Sequence, residues 1–371
     1  MSLTRAALRR QAVVQTLFRS TDLLTAVERL GFVQADPMAA PARAQDLILR
    51  HRVTGYRAGD LERQYPDLPI VEDALHLYGF MPARTLGLYH PRSGTWRVEQ
   101  EHPGLAEQVL AFVRENGPAD FRAVDAHFGS PRTQGNWGSD ARATTKILEL
   151  LHYRGLLRVA RRQGNVRWYV AAPPVAVEGE PQERLRQLVL MLARLHAPVT
   201  VSSLKQMVRW LRWGAPSLPG RATAVEDLIR SGQLIREKVD GVAYVWPAGE
   251  QVGGELEQTV RLLAPFDPVV WDRDRFEHLW GWPYRLEAYT PAEKRRFGRY
   301  ALPLLWADQV IGWANLTCRR GQLEAQLGFV AGKPDAPVFQ RELEAELVRM
   351  ATFLEAADVR ITHAAGRSSI D

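Results

Sequence analysis

The sequence predicts an α+β fold in which three tandem winged helix-turn-helix units precede a C-terminal β-barrel-like domain. Two segments, residues 105–171 and 183–246, show the same succession of three helices and a two-stranded hairpin. Both contain the pattern Leu-x-x-x-Gly-x-Leu, as LHYRGLL and LIRSGQL, so that a helix ends at a glycine and a hairpin with a Gly-containing turn follows. Such an internal repeat indicates an array of supersecondary units and not one mixed domain.

The N-terminal part of the chain is predicted to form a third, divergent unit of the same kind. Its apolar periodicity predicts helices over about 4–18, 21–30, 37–50 and 70–78. The predicted domains are 1–98 for the divergent winged helix, 99–174 and 175–250 for the second and third winged helices, and 251–371 for a β-rich domain with a terminal helix.

After about residue 258 the pattern changes to strand-like alternation. The segments TVRLLAPF, YRLEAYT, RYALPLLWADQVIGWANLTC and LEAQLGFVAG are predicted strands, with a tight turn at Ala-Asp-Gln. The last segment with clear periodicity, VFQRELEAELVRMATFLEAA, is amphipathic at helical spacing. These observations predict a barrel or a curled sheet covered by one helix.

Composition points to a soluble protein with a polyanionic partner. The 371 residues carry a formal net charge of +6, and arginine greatly outnumbers lysine. Arginine suits bidentate contacts to phosphate and guanine, although GC-rich coding also enriches it. The single cysteine, Cys318, excludes an intramolecular disulfide and a multi-thiolate zinc site. We therefore expect a cytoplasmic, nucleoid-associated monomer, and no apolar run approaches the length of a membrane span.

Several classes of chemistry find no support in the sequence. The nine histidines are scattered, and the best metal-like pairing, Glu72 with His76, has no further ligands and fits an ordinary surface pair. No phosphate-cradling glycine-rich loop and no serine nucleophile elbow occur. We expect neither a metal ion nor an organic cofactor.

The hairpin of the first repeat is the most basic part of the chain. The segment from Arg154 to Arg167 contains five arginines, these two included, and no acidic residue occurs between Glu149 and Glu178. A winged helix contacts duplex DNA through its third helix and its wing. Arg161 and Arg162 before the wing turn, and Arg167 after it, are therefore candidate DNA contacts; a merely solvated basic hairpin is the alternative.

The stretch FVQADPMAAPARAQDLILRHR raises a different question. Asp36 followed by Pro37 fits a helix N-cap with proline at the first helical position. Gln34, two residues earlier in an extended segment, would face the same side as Asp36. Local rules favour a capping role for Asp36. The following helix carries Arg43, Arg50 and Arg52, which are candidate phosphate contacts.

Two parts of the sequence resemble the AlkZ/YcaQ family of winged-helix DNA glycosylases. They are GFVQADPMAAPARAQDLILRHRVTGYRAGDLER and the block PFDPVVWDR, YRLEAY and KRRFGRYALPLL, in that order and spacing. The resemblance covers nearly the whole chain. It implies three tandem winged helices followed by a β-barrel, and monofunctional removal of bulky N-alkylated purines from double-stranded DNA in base excision repair, including unhooking of interstrand crosslinks.

The resemblance also implies roles for particular residues. The family's catalytic signature, Gln, an apolar residue, then Gln or Asp, falls on Gln34, Ala35 and Asp36. An N7-alkylated guanine is cationic and leaves without a general acid, so one carboxylate can stabilise the sugar cation and activate water. Asp36 would be this carboxylate and Gln34 would orient the water. The family often has Gly-Arg-x-Asp where this chain has a tryptophan at 313 and Asn315.

Two other functions compete with the glycosylase interpretation. Winged helices occur most often in transcription regulators, although regulators usually combine one such unit with a dimerisation or ligand domain. A family member that has lost catalysis and only binds damaged DNA is the other alternative. The symmetry of three tandem units with a β domain favours an enzyme that surrounds one lesion.

Overall fold

The computed structural model describes residues 3–135, 139–177, 179–250 and 255–363. The helices in chain order are α1 (Arg5–Thr16), α2 (Leu23–Leu30), α3 (Ala44–Leu49), α4 (Asp60–Gln64), α5 (Leu86–Tyr89), α6 (Arg97–Glu101), α7 (Leu105–Asn116), α8 (Phe121–Phe128), α9 (Ala143–Tyr153), α10 (Pro181–Leu195), α11 (Val201–Gly214), α12 (Ala224–Arg230), α13 (Arg273–Trp280) and α14 (Pro337–Phe353).

The strands are β1 (Val33–Gln34), β2 (Ile70–Ala74), β3 (Tyr78–Pro82), β4 (Arg132–Gln134), β5 (Asp140–Arg142), β6 (Leu157–Gln163), β7 (Val166–Ala171), β8 (Val199–Thr200), β9 (Leu234–Val239), β10 (Val242–Pro247), β11 (Val260–Leu262), β12 (Leu302–Trp306), β13 (Gln309–Arg319), β14 (Gln322–Phe329) and β15 (Asp358–His363). Helices and strands are both abundant, and the α+β class predicted from the sequence is confirmed.

The described residues fall into two compact units. The first contains those within 1–61, 190–205 and 225–371, and the second those within 62–189 and 206–224. The four predicted segments, divided at 98/99, 174/175 and 250/251, stay a prediction, as does their assignment as winged helices. The last of these boundaries meets residues 251–254, which lie outside the described part of the chain.

The N-terminal helices follow from local capping. The Thr4 hydroxyl accepts a hydrogen bond from Ala7 N at 3.2 Å at the start of α1, and the Asp22 carboxylate accepts one from Thr25 N at 2.9 Å at the start of α2. Helix α2 ends at Gly31 in the left-handed region, with φ 74°. The predicted helices over 4–18 and 21–30 are therefore confirmed.

The helix predicted over 70–78 is wrong, because this segment forms strand β2 and the turn into β3. The two strands pair antiparallel, with Ile70 opposite Pro82 and Ala74 opposite Tyr78. Helical periodicity is indistinguishable from strand alternation in so short an apolar run. A buried carboxylate at Glu72, 2% exposed, accepts from Tyr78 Oη at 2.8 Å across the hairpin.

The second unit contains the element order expected for residues 105–171. Helices α7, α8 and α9 precede the antiparallel β6–β7 hairpin, and glycines with positive φ end α9 and turn the hairpin, Gly155 at 74° and Gly164 at 59°. A short β4–β5 ladder, which the sequence did not indicate, lies between α8 and α9. The core of this unit packs Val109, Ile147 and further apolar side chains of these elements together.

In the first unit a curled half-barrel sheet follows the strand order β11-β12-β13-β14-β15. The first four strands are antiparallel neighbours, and β15 pairs with β14 in parallel. The predicted turn at Ala-Asp-Gln is present between β12 and β13, where Ala307 has φ 50°. The strand predicted over YRLEAYT is wrong, because residues 284–290 form a loop.

Candidate active site

The segment between α2 and α3 carries Gln34 and Asp36. The helix predicted over 37–50 is confirmed only from Ala44 to Leu49, since α3 begins at Ala44 with Arg43 as its N-cap and residues 37–43 are not helical. Proline at 37 and at 41 removes two backbone donors, and each disfavours the helical conformation at the residue before it. Asp36 is therefore not a helix cap, and a dipole of α3 does not act on it directly.

The carboxylate of Asp36 closes a local turn with one oxygen. Its Oδ1 accepts a hydrogen bond from Met38 N at 2.8 Å, which is the geometry of an Asx-turn. The backbone N–H of Asp36 points toward Gln45 Oε1 at 3.4 Å, at the start of α3. Within the described residues nothing donates to Oδ2, and the side chain is half-buried. One oxygen fixes the carboxylate while the other stays open.

Gln34, at the end of β1, has an unsatisfied amide oxygen. The residue is half-buried, but Oε1 itself is buried and has no hydrogen-bond partner among the residues that the structure describes. A buried amide oxygen without a partner costs free energy unless water or substrate donates to it. The acceptor capacity of Gln34 Oε1 is therefore unused within the described residues.

Tyr300 is a buried residue in the electrostatic neighbourhood of Asp36 that the sequence did not indicate. It is 4% exposed, and its hydroxyl has no hydrogen-bond partner within the described chain. Burial raises the pKa of Tyr300 well above its ordinary value, and the Asp36 carboxylate raises it further. The phenol therefore stays protonated at neutral pH within electrostatic reach of Asp36. Its position in KRRFGRYALPLL, the most specific block of the resemblance, was the available signal.

A buried carboxylate holds the loop that leads to Tyr300. Glu287 accepts hydrogen bonds from the backbone N–H groups of Arg296, Phe297 and Gly298, at 2.8, 2.8 and 3.1 Å. Three such donors on one carboxylate fix residues 296–298 without a strand ladder. The backbone entering Tyr300 is thereby fixed.

Asn315 and Trp313, which depart from the family's Gly-Arg-x-Asp pattern, brace the same loop. Asn315 Nδ2 donates to Phe297 O at 2.6 Å. Trp313 packs edge-on against the Phe297 ring, with centroids 5.0 Å apart. Gly298 has φ 120°, and a Cβ there would lie 2.2 Å from Asn315 Oδ1, so glycine is required.

The structure places Arg50 and Arg52 in the interior of the first unit. Arg52 is fully buried and makes a two-pronged ion pair with Asp267, with N–O distances of 2.8 and 3.1 Å. Arg50 pairs with Glu346 at 2.8 Å, and its side chain is 3% exposed. Both placements depart from the expected contact with DNA phosphate, because each guanidinium is already engaged. Arg43 is half-buried at the start of α3.

In the second unit, two of the three predicted wing arginines are also engaged. Arg162 forms a bidentate pair with Glu72, at 2.6 and 3.1 Å, and Arg167 lies 3.3 Å from the same carboxylate. Arg161 is exposed, and its guanidinium stacks 4.2 Å above the ring of Trp168. The acidic residue that pairs with these arginines is on β2, distant in sequence, so the count of charges in the hairpin did not indicate it.

The expected surface pair of Glu72 and His76 is wrong, because both side chains are buried, 2% and 6% exposed. Burial lowers the pKa of His76 to about 3. Within the described ranges no group of three or more His, Cys, Asp or Glu side chains could hold a metal ion. No helix of the described chain is long and apolar enough to cross a membrane.

Comparison with known proteins assigns the family. The profile described as DNA glycosylase AlkZ-like matches residues 27–353, and the chain belongs to the AlkZ-like DNA glycosylase family. The protein is therefore a DNA glycosylase, and its substrate is DNA. This assignment supports the enzyme over the transcription-regulator alternative from the sequence.

A solved structure supports the fold. The Streptomyces sahachiroi DNA glycosylase AlkZ superposes with a TM-score of 0.64 at 15% sequence identity, over 98% of this chain and 100% of that chain. At such low identity the match concerns the fold alone. The matched family region includes Gln34, Asp36 and Tyr300.

Proposed function

We propose that this glycosylase removes N7- and N3-alkylated purines from double-stranded DNA by monofunctional hydrolysis, with Asp36 and Gln34 as its catalytic residues. The open Oδ2 of Asp36, beside an Oδ1 fixed by Met38 N–H, is the observation that carries the proposal. A fixed carboxylate with one free oxygen is what stabilisation of a sugar cation and activation of water require.

The reaction needs no general acid. An N7-alkylated guanine is positively charged, so it leaves as a neutral base when the bond between C1′ and the base nitrogen breaks. The electron pair of that bond goes to the base, and the sugar becomes an oxocarbenium ion that Asp36 stabilises electrostatically. Water then adds its oxygen to C1′ and gives a proton to Asp36 Oδ2, while Gln34 Oε1 accepts the second water hydrogen and orients the attack. The products are an abasic site and the free base.

The exposure of the site favours large lesions, including crosslinks. Gln34, Ala35 and Asp36 are half-buried and Pro37 is exposed, so part of this segment is accessible from solvent. A crosslinked base cannot be extruded into a snug cavity as a single damaged base can. An open site removes this restriction, and we propose that unhooking of interstrand crosslinks belongs to the activity.

Contacts to the DNA backbone are proposed for exposed or half-buried cations. Arg161, which is exposed, and Arg43, which is half-buried at the start of α3, remain from the sequence prediction. Arg50, Arg52, Arg162 and Arg167 are left out because each is held by a buried carboxylate. Exposed residues of the loop braced by Glu287 are added, since within the described chain they form no ion pair: Lys294, Arg296 and Arg299. Phosphate contacts of this kind position the duplex without reading its sequence.

The test is turnover on defined lesions. Duplexes with one N7-methylguanine, or with a nitrogen-mustard crosslink, are incubated with the protein and then cleaved with alkali at abasic sites. The wild type should produce strand breaks, and Asp36→Asn should lower the single-turnover rate by about 10²–10⁴-fold. Asparagine keeps an Oδ1 acceptor for Met38 N–H, so the melting temperature of this variant should stay close to that of the wild type.

The outcomes separate the parts of the proposal. An Asp36→Asn variant with the rate of the wild type would show that Asp36 only closes the turn. A wild type that is inert on alkylated purines but releases another damaged base would overturn the lesion class and leave the glycosylase activity in place.

A further inference from the structure

A cavity of about 420 Å³ in the first unit has no role in the reaction described above. Its lining includes the charged residues Arg50, Arg57, Glu257, Arg261 and Arg349, and also His51. The cavity is lined by residues that follow the C-terminal end of α3, whereas Gln45, which accepts from Asp36 N, lies at the start of that helix.

The cavity contains more positive than negative charge. The Glu346 carboxylate is shared by two of the arginines, at 2.8 Å from Arg50 and 3.0 Å from Arg349. Arg261 pairs with Glu257 at 2.9 Å, but the glutamate side chain is 57% exposed, and exposed pairs are weak. Four arginines therefore line the cavity against one lining carboxylate, Glu257. Two further carboxylates contact these arginines: Glu346, and Asp60, which accepts the backbone N–H of Arg57.

Arg57 is the arginine without a counterion. It is half-buried, and its side chain forms no ion pair and no hydrogen bond within the described part of the chain. His51 does not add charge, since burial and the neighbouring arginines lower its pKa well below the ordinary value. Its Nε2 lies 2.9 Å from Leu262 O.

The same crowding affects Arg261. Burial lowers the pKa of this guanidinium from its ordinary value, so the charged form is held there at a cost in free energy. An anion in the cavity would offset that cost, because guanidinium groups in a partly desolvated site attract an anion more strongly than they do in water.

The shape and chemistry of the lining select the kind of anion. Planar guanidinium groups recognise phosphate oxygens in a bidentate manner. One wall is aromatic: the rings of Tyr56 and Phe353 stack with centroids 6.3 Å apart, and Arg50 Cζ lies 5.5 Å from the Phe353 centroid. A volume of about 420 Å³ exceeds what a lone phosphate ion fills and leaves room for an attached sugar.

We propose that this cavity is a phosphate-ester binding site, with Arg57, Arg261 and Arg349 as the groups that hold the phosphate. The ester belongs either to the backbone of bound DNA or to a free nucleotide, and the cation cluster recognises the same group in both. The site is separate from Gln34 and Asp36, and the proposal does not depend on which lesion the enzyme removes.

Arg57→Gln is the variant that tests the site, because it removes a positive charge without breaking an ion pair of the described structure. Arg10→Gln is the matched control, since Arg10 is an exposed residue of α1 with no ion pair there and does not line the cavity. Binding of deoxyguanosine 5′-monophosphate, and of an undamaged duplex, is measured by calorimetry for the full chain and both variants. Undamaged DNA keeps the test independent of turnover.

Each result decides the question. If the monophosphate binds saturably, and its binding weakens about tenfold or more in Arg57→Gln but not in Arg10→Gln, the ligand is a free phosphate ester. Weakened duplex binding in Arg57→Gln, with a salt dependence reduced by about one phosphate contact, supports a DNA backbone phosphate. If Arg57→Gln and Arg10→Gln match the wild type toward both probes, or weaken binding equally, the cavity is not a phosphate site.

Discussion

Removing the charge of Asp267 should strongly destabilise the first unit of this glycosylase. Arg52 is fully buried, and Asp267 is its counterion, with two N–O contacts. The other hydrogen bonds of the Arg52 guanidinium go to the neutral backbone carbonyl oxygens of Thr16 and Ile48, at 2.7 and 2.6 Å. In Asp267→Asn the guanidinium would stay buried beside a neutral amide.

The magnitude follows from burial. Breaking a buried ion pair by neutralising one partner costs about 3–5 kcal/mol, because the other charge remains without compensation. In the wild type, Val269 N donates to Asp267 Oδ1 at 3.0 Å, and an asparagine oxygen can still accept this bond. The loss of unfolding free energy would therefore arise from the missing charge. Total stabilities are about 5–15 kcal/mol, and the variant should therefore unfold at a clearly lower urea concentration.

The assay is urea unfolding of the wild type, Asp267→Asn, Arg52→Met and the double variant, with duplex affinity measured below the unfolding transition. The double variant should lose about 2–3 kcal/mol less than the sum of the single variants, since neither charge then remains alone. A cost below about 1 kcal/mol for Asp267→Asn, together with loss of DNA affinity in Arg52→Met, would refute the structural role and restore Arg52 as a DNA contact.

Three further predictions concern the loop held by Glu287, the β6–β7 hairpin and the pH dependence of stability. Glu287→Gln should lower the free energy of unfolding by about 1–3 kcal/mol, since an amide offers fewer acceptor sites to three donors. Hydrogen exchange at the N–H groups of residues 296–298 should become faster, and unchanged exchange there would contradict the bracing role. Arg161→Gln should weaken duplex binding and reduce its salt dependence, as measured by fluorescence anisotropy. Arg162→Gln should mainly lower the melting temperature, because Glu72 would keep Arg167 as its one remaining arginine partner. The reverse pattern would count against the observed pairing. Because the pKa of His76 falls to about 3 on folding, the unfolded chain binds a proton at higher pH than the folded chain does. The free energy of unfolding should therefore decrease as the pH falls from about 7 toward 3. His76→Gln should make this free energy less dependent on pH, and an unchanged dependence in the variant would exclude His76 as its source.

The sequence by itself determined the features that depend on neighbours in the chain. Capped helices α1 and α2, the glycine-terminated helix and hairpin of residues 105–171, the turn between β12 and β13 and helix α14 all follow from local signals. The pair Gln34 and Asp36 also came from a sequence motif, and the family match covers that stretch.

Only the tertiary structure decided which arginines are free of buried ion pairs and so available to contact DNA. Arg52, Arg50 and Arg162 look like surface cations in the sequence, yet carboxylates from distant elements neutralise them: Asp267, Glu346 and Glu72. The Asx-turn at Asp36, in place of the expected helix cap, and the proximity of Tyr300 likewise depend on the path of the loop and on a residue about 260 positions away. Pairing and burial of charges are long-range properties, because desolvation is set by the elements that pack over a side chain and not by its neighbours in sequence.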